Sequence, residues 1–97
     1  MQVRTRVVNL RNEAFDVYIG RAVPRRGLKK SPFGNPFRVG KDRTRQETIE
    51  KYRRWLLDQP ELVERAQREL RGKRLGCWCK PLPCHGDVLV EIIEAGA

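Results

Sequence analysis

The acids of this sequence are few: 12 Asp+Glu stand against 21 Lys+Arg, which leaves a formal net charge of +9 and a pI of about 10.2. A surface with that deficit gathers polyanions, of which nucleic acids and nucleotides are the commonest. An arginine-rich solubilising surface is the bland alternative. No apolar run approaches the length of a bilayer span, which excludes a membrane-crossing helix and makes the cytoplasm the expected location. A G-x-G-x-x-G fingerprint is missing, which counts against a dinucleotide cofactor and leaves free nucleotides open. A C-x-x-C redox motif is missing as well, and so is a pair of carboxylates on strand ends of the kind that holds two magnesium ions in a nuclease. Repeats and low-complexity tails are absent. At 97 residues the chain has room for one domain, 1–97, and a mean hydropathy of -0.66 implies a small core.

What is present reads as alternating strands and helices. Residues 2–10, QVRTRVVNL, have the pattern of a strand, RNEAF that of a turn, and DVYIG (16–20) that of a second strand stopped by Gly20. From Arg21 to Asp42 no period is sustained, while Pro24, Gly27, Pro32, Gly34, Pro36 and Gly40 punctuate a long loop. That loop and its exit carry Arg21, Arg25, Arg26, Lys29, Lys30, Arg38, Lys41 and Arg43. Thr44 and Glu47 have the spacing of a capping box, with a helix predicted over 44–58. Pro60 opens a second helix that ends at Gly72. RLGCWC (74–79) is the third strand, Pro81 and Pro83 forbid its continuation, and a last helix runs from His85 or Gly86 to Gly96. The order β-β-loop-α-α-β-α predicts an α/β fold: a small three-layer or two-layer domain with a short, at least partly parallel sheet, Rossmann-like.

Chemistry concentrates in GCWCKPLPCHGD (76–87), which holds all three cysteines and the only histidine. Alternation along a strand points Cys77 and Cys79 one way and Trp78 the other, and the proline turn returns Cys84 and His85 to the same edge. Cys77, Cys79, Cys84 and His85 together match the donor count of a Cys3His zinc site, although C-x-C-x4-C-H departs from the usual ligand spacing. An iron–sulfur cluster fits worse. The favoured expectation is no cofactor, with the cysteines packed as small buried groups while His85 and Asp87 face a pocket at the mouth of the last helix, where free amides attract a phosphate. An acid in a first helical turn is also favourable by itself, which gives Asp87 a purely structural alternative.

The loop SPFGNPF (31–37) is the second candidate. Pro32 and Pro36 stiffen it, Gly34 permits close approach, and the Asn35 amide can both donate and accept. Phe33 and Phe37 can stack on a base, or tuck into the core around an Asx-turn. Arg21, just past a strand end, is the first candidate for a phosphate contact, with Arg38 beside it.

The series VYIGR, SPFGNPF, YRRWL and LRGKRLGCWCKPLPCHGDVL resembles a family of small bacterial and phage proteins catalogued as a domain of unknown function, over about residues 6–94. The resemblance implies that Tyr18, Gly20, Arg21, Ser31, Asn35 and Pro36 belong to one site with Cys77, Cys79, Cys84, His85 and Asp87. From the residues themselves the expected function is a hydrolase acting on a nucleic-acid base or nucleotide, a small DNA glycosylase cleaving an N-glycosidic bond. Asn35, His85 and Asp87 are its expected catalytic groups, and Tyr18, Gly20, Arg21, Ser31, Phe33, Phe37 and Arg38 its substrate-binding ones. The alternatives are a zinc-clasped nucleic-acid-binding module and a nucleotide-binding or nucleotide-processing domain. The expected partner is DNA or a nucleotide, and the chain a monomer or small homo-oligomer.

Overall fold

Three parallel strands lie at the centre of the computed structural model: β1 (Arg6–Asn9), β2 (Val17–Tyr18) and β3 (Arg74–Cys77), in the order β1-β3-β2. The structure describes residues 4–38, 40 and 44–95. Lys41 and Arg43 of the basic run, the start of the strand expected over 2–10, and Gly96 lie outside the described residues. The sheet is parallel throughout, and its middle strand is the apolar one, with Leu75, Gly76 and Cys77 buried, as a strand covered on both faces must be.

Val7 and Val17 both pair with Leu75, while Val8 and Tyr18 both pair with Gly76, so pleating sends these two sets to opposite faces. The helices cover the first face. Helix α1 (Arg45–Leu57) starts at the expected capping box of Thr44 and Glu47, α2 (Pro60–Leu70) starts on its proline, and α3 (His85–Ala95) follows the proline corner. Tyr52 and Leu56 of α1, Ala66 and Leu70 of α2, and Leu89 and Ile93 of α3 close over Ile19 and Leu75 in one core. The first turn of α3 lies so near the sheet that a Cβ on Gly86 would come within 2.8 Å of both Ile19 and Val7.

The second face is covered differently. Residues 10–16 run back across β3 to reach the start of β2, and Phe15 sits over Gly76, where a Cβ would meet its ring at 2.7 Å. Val8 is buried on the same face. A crossover this short has no room for a helix, which needs a connection of roughly a dozen residues. The domain therefore has two layers, and the Rossmann-like expectation holds for the parallel pairing but not for the covering of this face. The Asp16 carboxylate fixes the far end of the crossover by accepting from the Arg74 backbone N–H at 2.8 Å and from its guanidinium at 3.0 Å. That bonding to Arg74 holds the Asp16 carboxyl well below the usual range, at about 2.

All three strands are shorter than the sequence pattern predicts. The ladder runs out at the Leu10 N–H, which donates to Cys77 O, and the Ile19 N–H, which donates to Gly76 O. Beyond it β3 turns into the corner that holds Pro81 and Pro83, whose Lys80–Pro81 peptide bond is cis. The long loop contains a 3₁₀ turn, Pro24–Arg26, that ends at Gly27 with φ 67, a left-handed conformation natural to glycine.

Candidate functional site

β2 and β3 end side by side, and α3 begins at the same edge, the position where open parallel sheets usually place a ligand. A cleft of about 440 Å³ lies there. Its floor is made by the buried Cys77, Cys84 and His85, its walls by Tyr18, Asn35, Phe37 and Trp78, and its rim by Arg21, Arg38 and Arg45. Gly20 and Cys79 complete the set of predicted residues that line it. Among the described residues the lining carries three arginines and no Asp or Glu.

Short-range turn chemistry shapes the loop 31–37. The Phe37 N–H donates to Asn35 Oδ1 at 2.9 Å, which is the Asx-turn, and the Phe33 N–H donates to Ser31 Oγ at 3.1 Å. Asn35 Nδ2 reaches Thr48 O of α1 at 3.5 Å. Arg21 Nη2 donates to the carbonyls of Asn35 and Phe37, each at 3.1 Å, so a cation at the cleft rim also clamps the loop. The Tyr18 hydroxyl donates to Arg21 O at 2.6 Å and accepts from Trp78 Nε1 at 2.9 Å, which joins the strand end to the loop start.

Not every expected residue is here. Phe33 is 2% exposed and belongs to the core, where the Tyr52 hydroxyl donates to its carbonyl at 2.6 Å; the aromatic ring of this loop that lines the cleft is Phe37. Ser31 is buried and spends its hydroxyl on the turn. Asp87 does not line the cleft. Its Oδ2 accepts the Cys84 N–H at 3.0 Å and its Oδ1 pairs with Lys80 Nζ at 3.0 Å, so it caps α3 and borders a second groove with Val88 and Glu91. That is the structural role open to an acid in a first helical turn.

His85 lines the cleft with its Nε2 2.7 Å from the Ile19 carbonyl. A carbonyl only accepts, so Nε2 carries the proton and the neutral ring keeps its lone pair on Nδ1. Burial pushes the His85 pKa down, and Arg21 adds to the effect against the Ile19 bond and Asp87.

The sulfurs converge as a pair. Cys77 Sγ and Cys84 Sγ are 3.4 Å apart, and among the described residues no three His, Cys, Asp or Glu side chains are grouped to hold a metal ion. The contact between the two sulfurs, helped by the Cys79 and Lys80 backbone amides, pulls the Cys77 pKa down, while that of Cys84 is driven up by the Cys77 sulfur and by burial.

Sequence reasoning missed Val23, Arg45, Thr48, Ile49, Trp78 and Pro83 as cleft residues. A signal existed for three of them: 45, 48 and 49 extend the stripe of Tyr52 and Leu56 two turns toward the start of α1.

With this geometry in view, comparison with known proteins places the chain. The family described as Domain of unknown function (DUF4326) matches residues 3–95. The chain belongs to that family. It is also 38% identical over 93 residues to a protein of Enterobacteria phage T4, described as an uncharacterized 12.4 kDa protein in the nrdA-td intergenic region, covering 92% of this chain and 77% of that one. No solved structure matches. Among the described residues of this DUF4326 member, no helix is long and apolar enough to cross a membrane.

Proposed function

We propose that this domain binds a nucleotide, free or as a base turned out of a strand, in the arginine-rimmed cleft and hydrolyses its N-glycosidic bond. The observation that supports this reading most is the lining itself: among the described residues, Arg21, Arg38 and Arg45 without a carboxylate, beside the aromatic rings of Tyr18, Phe37 and Trp78. Guanidinium groups suit phosphate oxygens, and aromatic rings suit the face of a base. About 440 Å³ falls inside the range of roughly 300–1,000 Å³ usual for small-molecule sites.

In the hydrolysis, water adds to the sugar carbon, the carbon–nitrogen bond breaks with its electron pair going to the base, and a proton leaves the water. Neutral His85 is the acceptor for that proton, through the Nδ1 lone pair left by its bond to Ile19 O. The Asn35 amide, fixed by its two backbone contacts, orients the ligand. Asp87 has no part in this scheme, being engaged with Lys80 and the Cys84 N–H.

The lack of a carboxylate among the described residues of the lining also favours a second reading, binding without turnover. Calorimetry with nucleotides and with short oligonucleotides, followed by chromatography for free base from uracil- or hypoxanthine-containing DNA, separates the two. Base release that disappears in His85→Gln while binding persists is the expected result. Binding without release in the unaltered protein selects the second reading, and no binding overturns both.

A further inference from the structure

We propose that Cys77 and Cys84 form a site of reversible disulfide formation at the cleft floor, with a hydroperoxide as the oxidant. Their sulfurs are already in contact at 3.4 Å, and the contact of Cys77 is with Cys84, seven positions on, rather than with Cys79 two positions on. Both thiols are buried, Cys77 at 2% and Cys84 at 3% exposure, yet both line the cleft, so an oxidant as small as hydrogen peroxide reaches them where a protein thiol does not. The proposed function leaves this pair unused.

The neighbours divide the labour. With the Cys84 sulfur in contact and the Cys79 and Lys80 backbone amides favouring the charged form, Cys77 is the sulfur whose thiolate is stabilised, and the thiolate is the form that attacks peroxide. Attack on one oxygen breaks the O–O bond, whose electron pair departs on the other oxygen as hydroxide, and leaves Cys77 as a sulfenic acid. Cys84 sulfur then attacks that of Cys77, the S–O bond breaks, and the thiol proton goes with the departing hydroxyl as water. Two thiols lose two electrons in all, and one peroxide is reduced to two waters. The product ties the end of β3 to the start of α3, the two elements that carry the cleft floor.

The test uses the reduced, full-length protein, hydrogen peroxide, and mass spectrometry after alkylation of remaining thiols. The expected product is lighter by two hydrogens, takes up alkylating agent only at Cys79, and returns to three free thiols with dithiothreitol. Cys79→Ser forms the same cross-link, and Cys84→Ser stops at a Cys77 sulfenic acid that a cyclic 1,3-dione traps. A cross-link through Cys79, a disulfide between copies, or oxygenation of Cys77 beside an intact Cys84 in the unaltered protein would overturn the proposal. So would stoichiometric zinc that shields all three thiols from alkylation. The readout contains no nucleotide, so a failure of the proposed function leaves this result untouched.

Discussion

Burial decides the working charge of His85. Its pKa is lowered, so between the folded value and the unfolded value of about 6.5 the unfolded chain holds the extra proton. The stability this gives is complete above about 6.5 and is lost as the pH falls toward the folded value. Thermal melts from pH 8 to pH 5 are therefore expected to show a falling Tm below about 6.5, with a shallower fall in His85→Gln. An equal slope in the two proteins would detach the imidazole from the effect. Tyr52 makes a comparable point about satisfied polar groups. Its hydroxyl supplies the buried Phe33 carbonyl, so Tyr52→Phe is expected to cost about 1–3 kcal/mol in urea unfolding. At this scale the sequence was legible where chemistry is local. The Asx-turn of Asn35 and the helix-start acid Asp87 follow from residue type and position alone. Phe33 and Phe37 look alike in SPFGNPF, and only the docking of Tyr52 against the loop sends one into the core and leaves the other at the cleft.

The elements owe their positions to two close approaches to the sheet. Gly76 admits Phe15 on one face and Gly86 admits Ile19 and Val7 on the other, so added side chains push whole segments away. Gly76→Ala is expected to destabilise by about 1–3 kcal/mol, because the Phe15 ring and the crossover that carries it must both shift. Denaturant melts of Gly76→Ala, Phe15→Ala and the double variant test this, and the double variant is expected to lose less than the sum of the two single ones. Thr44→Ala removes the α1 cap and is expected to cost about 1 kcal/mol by the same measurement. The capping box and the proline start of α2 were legible because they are fixed within four residues of sequence. The strand ends were not, since apolar alternation continues past the last ladder bond at Cys77. RNEAF reads as a turn, and nothing in its pattern tells that residues 10–16 cross a third strand that enters the chain sixty residues later.

For the whole molecule, an excess charge of +9 sets a long-range field, and the cleft gives that field a place to act. Phosphate contacts release counterions, so affinity for an oligonucleotide is expected to fall steeply with salt, and Arg38→Ala to lower both the affinity and the salt slope, the latter by about 1. The parallel α/β character of the chain was legible because helices separate the second and third strands, whereas its two-layer form depends on a connection whose length matters more than its composition. That Asn35 and His85 line one cleft was inferable from the two motifs, but its rim at Arg45 required the docking of α1 beside the proline corner. The most direct test is a titration of isotope-labelled protein with a short single-stranded oligonucleotide, followed through its backbone amide resonances. Shifts concentrated at Gly20, Arg21, Asn35, Phe37, Trp78 and His85 are expected. Resonances that stay still there, or move only on a distant face, would contradict a nucleotide site at this edge of the sheet.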